Sequence, residues 1–278
     1  MMSGTILNYI TFFYFFSFLF YLLLMIVEKK TFGKIATIIT ATGFAGHTTA
    51  IILRWIESYQ MGIGRAPLSN MYESLVFFSW TVILLYLIIE WRIGNKSIGV
   101  FATPIAFLIM AYSSFSNSEI QPLLPALKSN WLISHVITCF FGYAAFALSF
   151  ALSIMYLLKG RITKTSGDII QRLIPDLEVL EELSYQMVVI GFIMLTLGII
   201  TGAVWANSAW GTYWSWDPKE TWSLITWFVY AAMLHSRLIS GWRGKRLAVF
   251  SIIGFCCVIF TYLGVNLLLS GLHSYGSS

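Results

Sequence analysis

Apolar runs of near-bilayer length recur along this chain, at roughly 6–27, 35–54, 74–90, 98–113, 131–158, 184–205, 218–240 and 247–269. About 20 apolar residues in a helix cross a hydrocarbon core of ~30 Å. The expected fold is therefore an all-α polytopic membrane protein with about eight transmembrane helices. Only 10% of the residues are charged and 58% are hydrophobic, whereas a soluble domain needs about a quarter charged to cover its surface. The first run has no basic residue before it and no small-residue cleavage site after it, so a retained helix is expected rather than a signal peptide.

Loop charge gives the expected orientation, because Lys and Arg stay on the cytoplasmic side. The loops after runs one, three, five and seven, with Arg237 at the same end, hold 13 of the 17 basic residues, including Lys29, Lys96, Lys159, Arg172 and Arg243. The opposite side has Arg54, Arg65, Lys128 and Lys219. Both termini are thus expected on the outer, non-cytoplasmic side. This asymmetry accounts for the net charge of +5, and no nucleic-acid partner is expected. Cys139, Cys256 and Cys257 all fall inside apolar runs, and neither CxxC nor CxxCH occurs. They read as small core residues, and haem attached covalently to this chain in the usual way is not expected.

The organisation is that of one domain, 1–278, without repeats or low-complexity tracts. Gly62, Gly64 and Pro67 shape the outer segment 55–73, and Pro175 suits the first turn of a helix after the inner segment 159–183. Outer segment 203–227 is the most unusual, with six of the chain's eleven tryptophans set around "WGTYWSWDPKETW". Asp217 is a good N-cap, Pro218 fits the first helical position and Glu220 stands three residues after the cap. Helix seven should therefore start at Pro218, leaving "WGTYWSW" non-helical. In an extended stretch Trp214 and Trp216 would point the same way. With Trp210, Tyr213 and Trp222 they would form an aromatic shelf at the outer interface. An aromatic belt spreads over many helix ends, whereas these tryptophans concentrate in one pinned loop, which suits a flat apolar ligand.

Four histidines complete the inventory. His135 lies one turn into the fifth helix and His273 follows the eighth, so both are expected at shelf level. His235 lies 18 residues past Asp217, about 27 Å down a helix, near the inner leaflet. His47 falls near mid-bilayer if its helix continues to Tyr59. Ionisable groups within spans are expensive and functional by default. Imidazole ligates haem iron, so the sequence offers an outer pair and a deeper pair with mismatched depths. Arg65, Lys128 and Lys219, with Arg54 for either site, are candidate cations for propionates.

"WGTYWSWDPKETWSLITW" resembles the tryptophan-rich WWD signature of haem-handling membrane proteins. "GHTTAIILRW", "GRAPLSNMYESL", "WLISHV", "LGIITGAVWANSAWG" and "LHSRL" extend the likeness over nearly the full length. The whole chain resembles the CcsA/ResC-type subunit of the System II cytochrome c synthase. The resemblance implies a role in cytochrome c biogenesis. Haem b, not covalently held, would be moved outward and presented for thioether formation to the CxxCH thiols of an apocytochrome c. Implied axial ligands of the haem iron are His135 and His273 outside, and His47 and His235 in the membrane. The shelf residues Trp210, Tyr213, Trp214, Trp216 and Trp222, with Asp217, are the implied haem-binding loop. Implied partners are a separate ResB-type membrane protein with a large outer domain, apocytochrome c, a thiol-reducing system that keeps its CxxCH reduced, and the bilayer. The subunit would belong to a holocytochrome c synthase, or haem lyase, without a catalytic side chain of its own. A bacterial cytoplasmic membrane is expected over a thylakoid one. WWD proteins of the System I haem-delivery pathway share the motif. A quinone-linked b-type cytochrome would stack its histidine pairs within two helices, whereas these four lie on four segments. An ion or solute transporter would place acids or broken helices at mid-membrane, and no acid lies deep in a span.

Overall fold

The computed structural model describes residues 2–123, 128–161 and 173–269, and all regular structure among them is helical. The long helices are α1 (Met2–Val27), α2 (Lys30–Gln60), α3 (Met71–Ile93), α4 (Gly99–Ser113), α5 (Asn130–Arg161), α6 (Leu177–Trp210), α7 (Pro218–Leu238) and α8 (Lys245–Leu268). A 3₁₀ turn, Lys96–Ile98, leads into α4, and α8 contains a π turn at Phe260–Gly264. Seven of these eight helices, with α4 taken together with its leading 3₁₀ turn as Lys96–Ser113, are long and apolar enough to cross a membrane, which makes this a multi-pass membrane protein. The exception is α7, whose 21 residues include Lys219, Glu220, His235 and Arg237.

The helices form two halves. In the first, α1 packs on α2 and α4, and α4 on α3; in the second, α5 runs along α6, with α8 against α5 and α7 against α6 and α8. The halves meet where α3 and α4 pack on α5. Lipid tails are as apolar as leucine, so such helices associate through close packing and interhelical hydrogen bonds. Both are present. Phe146 of α5 stacks on Tyr230 of α7 with ring centroids 3.6 Å apart, passing Gly191 of α6, where an added Cβ would lie 2.5 Å from the Phe146 ring. The Ser149 hydroxyl lies 2.8 Å from those of both Ser184 and Ser251, tying α5, α6 and α8. Across the junction, Tyr262 of α8 packs on Phe78 and Phe140 and hydrogen-bonds the Ser74 hydroxyl of α3 at 2.7 Å.

The loops sort by end. Lys96 reaches Glu90 and Thr37 at 2.6 Å, Asn95 donates to the Leu173 carbonyl, and the Gly244 amide donates to Glu181. One end of the bundle therefore gathers the loops after α1, α3, α5 and α7. At the other end Ser3 bonds Glu57, Asn70 donates to the Glu119 carbonyl, and Asn266 approaches Met71. That end holds the loops after α2 and α4 and both ends of the described chain.

The boundaries depart from the hydropathy runs in informative places. The 31 residues of α2 continue through Arg54 to Gln60, because Arg54 is not solvated but paired inside the protein. The helix α6 has Asp176 as its N-cap, so Pro175 precedes the cap instead of occupying the first turn. Two acids are buried at opposite ends of α3. Glu90 accepts hydrogen bonds from Tyr21, Tyr86, Thr37 and Lys96. Glu73 sits between two arginines: Arg54 Nε lies 2.9 Å and Arg65 Nη1 2.5 Å from its carboxylate oxygens. Arg54 also donates to the Ser118 carbonyl and Arg65 to that of Gln121, both at 2.8 Å. This cluster clamps the loop after α2 to the loop that leads into α5.

Candidate functional site

Three elements build the site: the first turns of α5, the last four turns of α6, and the loop between α6 and α7. On α5, His135 lies under Leu132 and one turn before Cys139. Its Nδ1 is 2.7 Å from the carbonyl oxygen of Gly198 on α6. A carbonyl oxygen can only accept, so Nδ1 carries the proton and donates it, which leaves the lone pair on Nε2. The Sγ of Cys139 lies 3.7 Å from the same nitrogen. One turn beyond Gly198, a Cβ on Gly202 would lie 2.6 Å from Nδ1 of His135 and 2.8 Å from Cε1. The next residue on this face, Trp205, is buried and stacks on the imidazole with centroids 6.0 Å apart and planes inclined by 23°. Trp210 meets Trp205 edge-on at 6.0 Å. Its buried Nε1 has no hydrogen-bond partner among the described residues.

The helix α6 ends at Gly211, whose φ of +80° is the left-handed conformation that glycine adopts freely. Segment 211–217 is non-helical, whereas Trp210, expected outside the helix with "WGTYWSW", is the last residue of α6; α7 begins at Pro218 with the expected capping box. The Asp217 carboxylate accepts from the Lys219 amide at 2.9 Å, and Glu220 accepts from the Asp217 amide at 3.3 Å and the Ser215 amide at 2.8 Å. Asp217 thus shapes the loop as a cap. The tryptophans depart from the expected shelf. Trp216 has φ +60°, which breaks the alternation of an extended strand. The Trp214 and Trp216 rings are neighbours but not coplanar: they meet edge to face, 5.7 Å apart at 89°. Trp216 and Tyr213 are exposed, with relative accessibilities of 69% and 60%, and Trp214 is half-buried. Trp222 packs on Phe260 at the α8 π turn, 4.2 Å away. Trp227 donates to Thr196 and belongs to the α6–α7 packing.

His47 and His235 are not drawn together. On α2, His47 is fully buried, with Nδ1 3.0 Å from the Tyr14 hydroxyl and Nε2 unpartnered among the described residues. His235 is exposed in the last turn of α7, in the other half of the bundle. His273 lies outside the described residues. Among the described residues, no three His, Cys, Asp or Glu side chains gather as a metal site. Of the cations proposed for propionates, Arg54 and Arg65 are engaged by Glu73.

Residues 68–273 match the model of the family described as Cytochrome C assembly protein. The chain belongs to that family. Within this assembly family, proteins titled "Cytochrome c biogenesis protein CcsA" are close in sequence. That of Mesostigma viride is 45% identical over 260 residues, covering 84% of each chain. That of Synechococcus sp. strain CC9902 is 43% identical over 255 residues, covering 82% of each. Among solved structures, "Cytochrome c Heme Lyase CcmF" superposes with a TM-score of 0.70 over 94% of this chain and 46% of that one. At 15% identity that likeness is one of fold. The resemblance carried by the tryptophan loop agrees with these relatives. What sequence reasoning missed in this assembly protein is the pair of glycines beneath His135. The spacing was visible in "LGIITGAVW", where Gly198, Gly202 and Trp205 fall on one helical face.

Proposed function

We propose that this protein receives haem b within the membrane and presents it at the outer surface for attachment to apocytochrome c. The observation that carries the reading is the seat of His135. Its Nδ1–H is committed to the Gly198 carbonyl and its ring to Trp205, so the basic nitrogen is Nε2, the form in which imidazole ligates a metal. Hydrogen bonding through the other ring nitrogen orients such ligands and raises their basicity.

In this reading His135 and His273 hold the iron from two sides at the outer end. Trp205, Trp210 and the loop aromatics Tyr213, Trp214 and Trp216 supply apolar area around the macrocycle. Trp214 and Trp216 meet edge to face rather than as one flat shelf, and Asp217 caps α7 directly after them. Each apocytochrome thiol adds its S–H across a vinyl group, the sulfur bonding one carbon and the proton going to the other, with no net oxidation. No side chain of this protein need act as a nucleophile. Its contribution is orientation and exclusion of water, and well-oriented reactants can gain ~7–11 kcal/mol of barrier. His47 and His235 would serve an earlier position of the same haem. Because they lie in different halves of the bundle, they serve as successive contacts or come together only when the halves move.

Thirteen of the 17 basic residues fall in the sequence segments assigned to the other side from the tryptophan loop, which supports a reading with both termini and the loop outside the cytoplasm. A bacterial cytoplasmic membrane remains the preferred setting, with a ResB-type partner supplying the outer surface and a thiol-reducing system keeping the CxxCH cysteines reduced. The test is the pigment of the purified protein co-expressed with its partner. The expected result is a Soret band whose haem is fully removed by acid–acetone. Colourless protein, or haem that resists extraction, contradicts the proposal.

A further inference from the structure

The geometry points to Gly202 as a positioning residue: it leaves the gap on α6 into which the His135 imidazole fits, and so sets that ring's tautomer and direction. The inference rests on the proposed role of His135 in haem ligation, but its first consequence can be measured without haem. Three features of one helical face converge on a single ring. Gly202 stands four positions after Gly198 and Trp205 three after Gly202, so all lie on one face of α6. The Gly198 carbonyl takes the Nδ1 proton at 2.7 Å, Trp205 covers the ring, and Gly202 leaves the space between them. The Gly198 carbonyl also accepts from the Thr201 hydroxyl at 3.2 Å, and the imidazole at 2.7 Å is the nearer of these two side-chain donors.

A side chain at 202 is excluded by distance. A Cβ there would stand 2.6 Å from Nδ1 and 2.8 Å from Cε1, separations that contacts of this kind do not tolerate. The imidazole is a rigid plane, so relief requires the whole ring to move, lengthening the bond to Gly198 and lifting the ring from Trp205. Gly198 is a different case, because a Cβ there would meet Cys139 Sγ at 2.6 Å and displace the thiol first. Gly202 is therefore the position at which one methyl group acts on the histidine.

The experiment uses the full-length protein in detergent, in unaltered, Gly202→Ala, His135→Gly and His135→Gly/Gly202→Ala forms. In haem-free protein labelled with ¹⁵N-histidine, with His135→Gly assigning the resonance, His135 should be held as the Nδ1–H tautomer. In Gly202→Ala the two tautomers should mix. In haem-loaded protein co-expressed with the partner, Gly202→Ala should shift part of the haem from low to high spin. Haem retention should fall roughly ten- to a hundredfold, the usual cost of losing a hydrogen bond that orients a metal ligand. Added imidazole should rescue His135→Gly and the double variant equally, since a free imidazole needs no gap at 202. An unchanged tautomer and spin state in Gly202→Ala would overturn the inference. So would a defect of the double variant that imidazole cannot repair, because Gly202 would then serve helix packing alone. If the tautomer responds as expected while His135→Gly keeps its low-spin haem without imidazole, the positioning claim stands for the ring and the ligand assignment falls.

Discussion

Removal of the Glu73 charge should unseat the end of the bundle that holds the loops after α2 and α4. Its carboxylate is 1% exposed and lies between Arg54, 2% exposed, and Arg65, 5% exposed, at 2.9 and 2.5 Å. It also accepts from the Ser69 amide at 3.0 Å. In Glu73→Gln the shape persists, but two buried guanidinium groups face one neutral amide. Breaking a buried pair by removing one partner costs ~3–5 kcal/mol, because a charge is left uncompensated. Arg54 keeps the Ser118 carbonyl and Arg65 that of Gln121, which places the expected loss near the lower bound, about 3 kcal/mol. Equilibrium unfolding in mixed micelles, followed by tryptophan fluorescence, measures it. Protease cleavage in the loops after α2 and α4 should increase in parallel. A combined Arg54→Met, Glu73→Leu and Arg65→Met variant removes all three charges and should recover most of the stability, since apolar replacements of whole buried ion clusters are often neutral or better. A Glu73→Gln protein within ~1 kcal/mol of the unaltered one would refute this account of the cluster, as would a triple variant no more stable than the single one.

Three further outcomes are expected. Trp214→Ala with Trp216→Ala should lower haem per protein while membrane insertion, read by carbonate extraction, stays unchanged; each lost aromatic contact costs about 0.5–1.5 kcal/mol beyond its area. Asp217→Ala should cost ~1 kcal/mol through loss of the α7 cap, and Asp217→Asn should restore most of it, both read by the same unfolding assay. His235→Ala should leave unfolding within ~0.5 kcal/mol of the unaltered protein, because the side chain is exposed, whereas His47→Ala should lose ~1 kcal/mol or more with the Tyr14 hydrogen bond. Both variants should load less haem, and equal haem per protein in His235→Ala would remove the case for a deep ligand there.

The pattern of long helices was legible because a span must be long and apolar whatever it packs against. At the end of α2 a charge was buried in a pair the sequence does not announce: Arg54 read as a loop cation, and its partner Glu73 drew no notice. The cap at Asp217 was legible because its signal is local, with donor, acceptor and proline all within four residues. The edge-to-face meeting of Trp214 and Trp216 was not, because it goes with a left-handed residue at 216 that an extended reading does not anticipate. Trp205 and Trp222, equal in the sequence to their neighbours, divide in space because α6 carries one to the His135 face and α7 the other to α8. The depth mismatch between His47 and His235 was expected from residue counts; their placement in different halves of the bundle depends on helix packing that those counts do not carry. The seat of His135 depends on α6 passing α5 at Gly198 and Gly202, a long-range contact that local spacing does not specify.

The central claim is that the outer histidines hold haem for attachment, and the direct measurement is covalent haem on a co-expressed reporter cytochrome c. It is scored with His135→Ala, His273→Ala and the unaltered protein, each with and without imidazole in the medium. Both variants should lose holocytochrome formation and regain part of it with imidazole, which can enter the vacated position from the aqueous side. Full attachment by either variant without imidazole would contradict the assignment of that histidine.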